Sequence, residues 1–437
     1  ELLFDDCLFE NCSSLTKGGA LYHEENNIIM NTKLSFNECK FIGNSAKKNG
    51  AALWIHAHQG CEIYSCTFIR NYCDEECGAI HIETNFQYSF EKNYTINIVG
   101  SEFEENGGKN ANCVYITNSP KENILISECS FKDCGKDGYI ISLQSTDISI
   151  IIENCSFSFT KDLNSLKTIG INSCTDNIIL IGNSFHKFQN VIIHATCLLN
   201  GHNQFELIDN NITESSKHSP FYFENILTKS PIIKGNTFNK IRISEEFLSL
   251  KMNDNIETFI FDNNTFSNFR TNYNFGGIGV DINHRNKEIP FNLQFNDCFF
   301  YDVRRMGSTN QGVITCDFNM NNGNVYLSVT KCHFINNAGM NLGASIYVNI
   351  QHDIEIKECI FESNNEKGHS NIYINSDYGN VKTESSISII DCHFYKSNNP
   401  IFSSIEIHSG STKSVNIQKC SFENEIGGIT ILRIENN

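Results

Sequence analysis

The sequence predicts an all-β fold, a single-stranded parallel β-helix (solenoid) of about 15 coils. One short phrase recurs along the chain, as "CKFIGN" (39–44), "CTFIRN" (66–71), "CHFINN" (332–337) and "CIFESN" (359–364). Apolar and polar residues alternate in and before the phrase, which is the period of a strand. No amphipathic helical pattern of about 11 or more residues interrupts the repeats.

The aromatic residue of the phrase sets the repeat length. Successive aromatics are 26 to 35 residues apart, and such variable spacing is typical of a solenoid whose loops differ in length. The fifteen copies are Phe9, Phe41, Phe68, Phe103, Phe131, Phe157, Phe185, Ile212, Phe238, Phe266, Phe300, Phe334, Phe361, Phe394 and Phe422. They cover residues 1–437 and therefore predict one domain.

A small residue stands two positions before each aromatic, so both side chains are predicted to face inward. It is Cys in ten copies: Cys7, Cys39, Cys66, Cys129, Cys155, Cys298, Cys332, Cys359, Cys392 and Cys420. It is Asn or Ser in the others: Ser101, Asn183, Asn210, Asn236 and Asn264. A metal site would not tolerate this exchange, so we expect core packing, mostly free thiols, and neither metal nor cofactor.

Two further strands complete each predicted coil. Upstream, stretches such as "IEIKEC" (354–359) alternate between apolar and polar residues and contain one extra residue before the Cys. This extra residue indicates a corner between two strands. Downstream, "GAALWI" (50–55) and "GASIYV" (343–348) open with small residues that permit a tight turn. A sandwich of hairpins would need two-residue Asn-Gly or Asp-Gly turns, which are rare here.

Composition restricts the partners. The net charge is −17, from 33 basic and 50 acidic residues, and it argues against nucleic acid or anionic lipid as the main partner. The chain contains neither a long apolar span nor a signal peptide and begins at Glu1 without methionine. We expect a fragment of a longer chain that lacks its caps and any anchor, with membrane association only through segments absent from this sequence.

Two short motifs resemble the polymorphic outer-membrane-protein (Pmp) repeat, which pairs GGA[ILV] with FxxN. "GGAL" (18–21) fits the first, and "FIGN" (41–44), "FIRN" (68–71), "FEEN" (103–106), "FINN" (334–337) and "FESN" (361–364) fit the second. Between about residues 150 and 300, FxxN becomes FHKF, FNKI or FSNF. The resemblance is closest to the protist surface-protein version, and it implies a right-handed, pectin-lyase-like β-helix, an extracellular or cell-surface location and host-cell adhesion.

The third predicted strand carries the candidate binding site. The residues that follow its inward aliphatics should point outward and stack as an exposed aromatic row: Tyr22, Trp54, His81, Tyr115, Tyr347 and Tyr373. With Glu24, His56 and Glu83 beside it, such a row could grip sugar rings or a partner protein. Alternatively, the rings pack on one another and stiffen the sheet.

Two kinds of covalent modification are also expected. If the protein is extracellular, the expected disulfide partners are the cysteines outside the inward position: Cys12, Cys61, Cys73, Cys77, Cys134, Cys174, Cys197 and Cys316. Five sequons predict glycosylation, at Asn11, Asn93, Asn154, Asn211 and Asn263.

These observations predict a non-catalytic surface or secreted protein that binds a host-cell or matrix protein or glycan. One alternative is a polysaccharide lyase or hydrolase, which needs carboxylates that converge on one outer face. Another is a purely structural spacer.

Overall fold

The structure is a computed structural model. It describes residues 1–24, 32–56, 60–83, 94–117, 122–135, 137–144, 149–160, 166–172, 177–188, 190–196, 204–217, 220–224, 230–243, 247–251, 257–271, 278–283, 291–305, 312–317, 325–338, 345–349, 353–364, 370–376, 385–395, 403–408, 412–423 and 428–432. These residues form parallel strands and turns that stack as a β-solenoid, so the predicted fold class is confirmed.

The chain divides into two compact units. The first comprises Glu1–Asn211 with Pro220–Ile226, and the second comprises Ile212–Ser219 with Leu227–Asn437. Each unit repeats three strands per coil, and we number the three resulting sheets by their order along a coil. Among the described residues, the strands of the first type number eight in the first unit and seven in the second.

The first sheet contains the strand that precedes each Cys or Asn. In the first unit its strands are Leu2–Asp5, Leu34–Asn37, Cys61–Tyr64, Tyr94–Val99, Glu122–Ser127, Ser149–Glu153, Ile178–Ile181 and Phe205–Ile208. In the second unit they are Ile232–Lys234, Thr258–Asp262, Phe291–Asn296, Val325–Thr330, Asp353–Lys357, Ser385–Ile390 and Thr412–Gln418.

The second sheet contains the strand that carries each aromatic. In the first unit its strands are Leu8–Glu10, Lys40–Ile42, Thr67–Ile69, Glu102–Glu104, Ser130–Lys132, Ser156–Ser158 and Ser184–His186. The others are Asn211–Lys217, Thr237–Ile243, Thr265–Ser267, Arg270–Thr271, Phe299–Tyr301, Arg304–Arg305, His333–Ile335, Ile360–Glu362, His393–Tyr395 and Ser421–Glu423.

The third sheet contains the strand that follows the small residues. In the first unit its strands are Leu21–Glu24, Leu53–His56, Ile80–Glu83, Ala111–Thr117, Tyr139–Gln144, Lys167–Asn172, Ile193–Thr196 and Phe221–Glu224. In the second unit they are Leu248–Lys251, Ile278–Asn283, Ile314–Asp317, Ile346–Asn349, Ile372–Asn375, Ile405–His408 and Ile429–Leu432. A short sheet joins Ser13–Ser14, Ser45–Ala46 and Tyr72–Cys73.

The corner between the first and second sheets uses a left-handed residue. Glu38 has φ 52°, Glu128 has φ 56° and Glu358 has φ 54°, each one residue before the inward Cys. The single extra residue in the alternating pattern is therefore the corner that the sequence predicts. Its cost, about 1 kcal/mol or more for a residue other than glycine, is offset by the pairing on both sides.

The predicted inward aromatics stack as a ring ladder. Phe41 and Phe68 have ring centroids 4.9 Å apart and planes 3° apart, and Phe334 and Phe361 repeat this geometry at 5.0 Å and 3°. Phe41, Phe68 and Phe131 are buried, whereas Phe9 is half-buried. Each buried ring contributes about 1.5 to 3 kcal/mol through lost water contact, and each stacked pair adds about 1 kcal/mol.

The inward Cys, Asn and Ser side chains form a donor column beside the rings. Cys129 Sγ donates to the carbonyl of Ile98 on the preceding coil at 3.4 Å, and Asn183 Nδ2 donates to that of Ile152 at 2.8 Å. Cys7 and Cys420 are half-buried, and the other predicted cysteines of the column are buried. Burial raises the pKa of the Cys66 thiol to about 12, so it stays protonated. The core-packing interpretation is confirmed.

The asparagines of FxxN form a second buried column, which the sequence did not predict. Asn71 Nδ2 donates to the carbonyl of Phe41 at 2.9 Å and to Asn106 Oδ1 at 2.9 Å. Its own Oδ1 accepts from the backbone N of Asn44 at 3.1 Å and from Asn44 Nδ2 at 3.0 Å. The Asn71 amide therefore joins three coils.

We expect Asn71→Ala to lower the free energy of unfolding by about 2 to 4 kcal/mol, because several buried groups lose a partner at once. Chemical denaturation followed by the fluorescence of Trp54, the single tryptophan, measures this change in the first unit. Asn110→Ala is the control, since Asn110 is exposed, and it should change the free energy by about 0.5 kcal/mol or less. Equal effects of both substitutions would contradict a structural role for the column.

Candidate functional site

The predicted aromatic row lies on the third sheet, with its members in register. Tyr22 pairs with Trp54, Trp54 with His81, and His81 with Tyr115 on successive strands. The rings of Tyr22 and Trp54 stack at 4.7 Å and 10°, and those of His81 and Tyr115 are 4.8 Å apart. In the second unit, Tyr347 and Tyr373 stack at 5.4 Å and 5°.

The predicted exposure of this row is wrong for five of its six members. Tyr22 is 48% exposed, whereas Trp54 is only 2% exposed. His81, Tyr115, Tyr347 and Tyr373 are likewise buried. The alternative interpretation, mutual packing that stiffens the sheet, therefore describes most of the row, and Tyr22 is the member that a ligand could contact.

Two residues that precede third-sheet strands of the first unit, Lys17 and Cys77, pack against the row. The Lys17 ammonium lies 4.0 Å from the centroid of the Trp54 ring, a favourable cation–π geometry. Tyr115 packs with Cys77 and Ala111 in a small apolar cluster. The third sheet is thus covered on both faces in this region, which strand alternation alone cannot reveal.

Charged groups surround the buried rings. His81 Nδ1 lies 3.7 Å from Glu76 Oε2. Burial, and then the charge of Lys17, lower the pKa of His81 to about 3, so the imidazole is neutral at physiological pH. Burial, and then the charges of Glu76, Cys77 and Glu83, raise the pKa of Tyr115 to about 12.

The three predicted flanking residues lie next to the row in different ways. Glu24 is exposed and accepts a hydrogen bond from the Tyr22 hydroxyl. The half-buried His56 ring lies 6.1 Å from Trp54. Glu83 is half-buried, and its charge acts on Tyr22 and Tyr115.

The Trp54 indole N–H is buried and makes no hydrogen bond within the described part of the chain. Such an unsatisfied donor costs about 1 to 3 kcal/mol and calls for an explanation. The stack on Tyr22 and the cation above the ring account for the position of the indole, although neither contact satisfies the N–H.

The row continues beyond the residues that the sequence indicated. Ser142, Gly170, His194 and Tyr222 occupy the following register positions. At Gly170 the Tyr139 ring fills the missing side-chain space, because a Cβ there would lie 2.7 Å from it. The Tyr139 hydroxyl reaches His194 Nδ1 at 2.6 Å. Each of these residues follows an inward apolar residue, as the predicted members of the row do, so the sequence could have indicated them.

The off-column cysteines do not form the disulfides expected of them where the structure describes them. Cys12, Cys73, Cys77 and Cys134 are free thiols. Cys73 Sγ instead donates to the carbonyl of Lys48 at 2.8 Å, and Cys134 Sγ donates to that of Phe103 at 3.4 Å. Cys174 and Cys197 lie outside the described residues. Across the described ranges, no group of three or more His, Cys, Asp or Glu side chains could hold a metal ion.

Four of the five sequon asparagines are on the surface. Asn11, Asn154, Asn211 and Asn263 are exposed, and Asn93 lies outside the described residues. Glycosylation stays a prediction.

Comparison with known proteins adds no family. No protein-family model, no curated protein and no solved structure matches the chain. The resemblance to the Pmp repeat therefore stays a prediction. Among the residues that the structure describes, no helix has the length and apolarity that crossing a bilayer requires.

The second unit also has a basic feature that the repeat pattern did not indicate. Arg242, Arg270 and Arg304 each stand four residues after a ladder aromatic, in three consecutive copies of the repeat. They are 28 and 34 residues apart, so no basic run is visible. Alignment of the copies position by position would have found them.

The His81 environment predicts acid sensitivity of the first unit. Because the pKa of His81 is near 3 in the folded protein and near 6.5 when unfolded, the unfolded state binds the proton first as pH falls. The contribution of the neutral His81 to the free energy of unfolding is therefore fully present above about pH 6.5 and is lost as the pH falls towards 3.

Denaturant unfolding at about pH 7 and about pH 5, followed by Trp54 fluorescence, measures this loss. His81→Phe keeps an aromatic ring and removes the titration, so its loss should be smaller than that of the unsubstituted protein by about 2 kcal/mol. Equal losses in the two proteins would show that His81 is not the responsible group.

Proposed function

We propose that this chain is a non-catalytic, surface-displayed or secreted binding protein that attaches to a glycan or protein on a host cell or matrix. The observation that carries the proposal is the Tyr22 ring, which is 48% exposed and held flat by its stack on Trp54. A fixed, exposed aromatic face is suited to the apolar face of a sugar or to a partner side chain.

Glu24 gives this surface its polar component. Its carboxylate accepts a hydrogen bond from the Tyr22 hydroxyl, and this bond raises the pKa of Tyr22, so the phenol stays protonated. The remaining oxygen lone pairs of an exposed carboxylate can accept hydrogen bonds from sugar hydroxyls. Tyr22 and Glu24 together therefore offer a stacking face and a hydrogen-bond acceptor at one edge of the third sheet.

Tyr22→Ala should weaken binding to cells or to a glycan array by up to about tenfold, because one stacking contact is worth about 0.5 to 1.5 kcal/mol. The melting temperature should change little, since half of the side chain is exposed. Tyr72→Ala is the matched control, because Tyr72 is 59% exposed in the same unit and lies on the short sheet. If Tyr22→Ala binds as well as the unsubstituted protein, this surface is not the binding site. A purely structural spacer would bind neither cells nor glycans.

A second candidate, action on a polysaccharide, is favoured by the carboxylates beside the row. Burial, and then the charge of Glu83, raise the pKa of Glu76, whereas Lys17 lowers it, and the net shift is upward. A carboxyl whose pKa is raised by a neighbouring carboxyl is the kind of pair that a glycosidase uses as general acid and partner.

A screen of neutral and acidic polysaccharides for new reducing ends or unsaturated products tests this candidate. Glu76→Gln should abolish any turnover, because the amide cannot donate the proton. Asp74→Asn is the control on an exposed neighbouring acid. An absence of products with the unsubstituted protein would remove the catalytic candidate and leave the binding proposal unaffected.

A further inference from the structure

Three arginines of the second unit form a column on consecutive coils. Arg242 pairs with Arg270, and Arg270 pairs with Arg304, in the parallel register of the second sheet. Neighbouring strands of a sheet are about 4.8 Å apart, so the three side chains start from closely spaced positions. We call this set the arginine column. It occurs in a chain whose net charge is −17.

The column lies where the FxxN asparagines are missing. The residue three positions after the ladder aromatic is here Ile241, Phe269 or Val303, and each is buried. The residue before it has a left-handed φ, of 56° at Lys240 and 51° at Asp302. This turn directs the apolar residue inward, and the arginine that follows it lies on the outer face.

One carboxylate is shared by two arginines of the column. Arg270 Nη2 donates to Asp302 Oδ2 at 2.7 Å, and Arg304 Nε donates to Asp302 Oδ1 at 2.6 Å. Arg270 Nη1 also donates to the backbone carbonyl of Asp302 at 2.6 Å. Burial raises the pKa of Asp302, but the bonds from Arg270 and Arg304 outweigh it and lower the pKa overall, so this carboxyl is ionised.

Arg242 is the accessible end of the column. It is exposed, and it forms no ion pair within the described residues. The nearby Lys240 is paired with Glu214 at 3.2 Å. Asp302 is shared by Arg270 and Arg304, whereas the guanidinium group of Arg242 is exposed and positively charged. Like charges in register on neighbouring strands are unfavourable, so an anion bound here would relieve the repulsion.

An exposed ring and polar groups lie on the same sheet, three positions before the arginines. Tyr301 is 43% exposed and pairs with Ser267, which pairs with Asn239. Ser267 Oγ donates to Asn239 Oδ1 at 3.1 Å. The surface next to the column thus offers an aromatic face and short hydrogen-bonding side chains.

We infer that the arginine column and Tyr301 bind an acidic polysaccharide, through its carboxylate or sulfate groups. Guanidinium groups bind such anions with paired, charge-assisted hydrogen bonds, and an exposed tyrosine ring stacks on a sugar. The inference rests on the proposed binding function, but it uses a different face and a different unit from Tyr22.

A nucleic acid fits these observations less well. Single-stranded nucleic acids are bound by a continuous basic groove with several aromatic platforms, whereas the described surface beside this column has one exposed ring, Tyr301.

The test measures the affinity of the full chain for four probes by isothermal titration calorimetry. The probes are a heparin oligosaccharide, an oligogalacturonate, a neutral dextran oligosaccharide and oligothymidylate. We expect binding of one or both acidic oligosaccharides, weaker at about 200 mM than at about 20 mM NaCl because the site is exposed and screened. Arg242→Gln should weaken that binding about tenfold without lowering the melting temperature.

Arg70→Gln is the matched control, since Arg70 is an exposed arginine of the first unit and the charge change is the same. It should leave the affinity for the acidic oligosaccharides unchanged. Several results would overturn the inference: no binding of either acidic probe, equal affinity of Arg242→Gln and the unsubstituted protein, equal weakening by Arg70→Gln, or tighter binding of oligothymidylate. None of them bears on the Tyr22 surface, so the two proposals fail separately.

Discussion

The stacking of equivalent side chains on successive coils is the constraint on which the other features depend. A phenylalanine ring contacts the rings above and below it at close to 4.9 Å, and a small donor beside it reaches the carbonyl of the preceding coil. A shift of one residue would turn every inward side chain outward. Differences in repeat length are therefore confined to the connections between strands.

The donor column explains why cysteine, asparagine and serine exchange at one position. Cys129 and Asn183 both donate to the preceding coil, and Ser101 Oγ donates to the carbonyl of Val99 at 3.2 Å. The position requires a short side chain with a donor rather than a sulfur atom. The FxxN asparagines obey the same requirement one corner further along the coil.

Apart from the column of FxxN asparagines, the interior was predictable from the sequence because its period is short and repeats in every coil. The ring ladder, the donor column and the corner at residues such as Glu358 all follow from it. The burial of Trp54 was not predictable, since alternation shows which side of a strand a residue faces but not what packs on that side. Lys17, which lies over the indole, is 37 positions away in the sequence.

The two proposed surfaces also differ in how far the sequence alone indicates them. Tyr22 and Glu24 lie two residues apart on one strand, so the sequence indicates them together. Arg242, Arg270 and Arg304 come from three coils, and only the register of the second sheet brings them into one column. An excess of acidic residues in the composition does not reveal such a column. The net charge is a sum over the whole chain, whereas a ligand contacts only one part of the surface.

The protonated state of the interior Cys66 sulfur atom has a chemical consequence. Oxidants and disulfide exchange act on the thiolate, and burial raises the pKa of Cys66 to about 12, so very little thiolate exists at neutral pH. The Cys66 thiol therefore reacts slowly with oxidants and disulfides, even in oxidising surroundings. Cysteine at this position serves the geometry of the coil, because its Sγ donates to the carbonyl of Tyr64 at 3.3 Å.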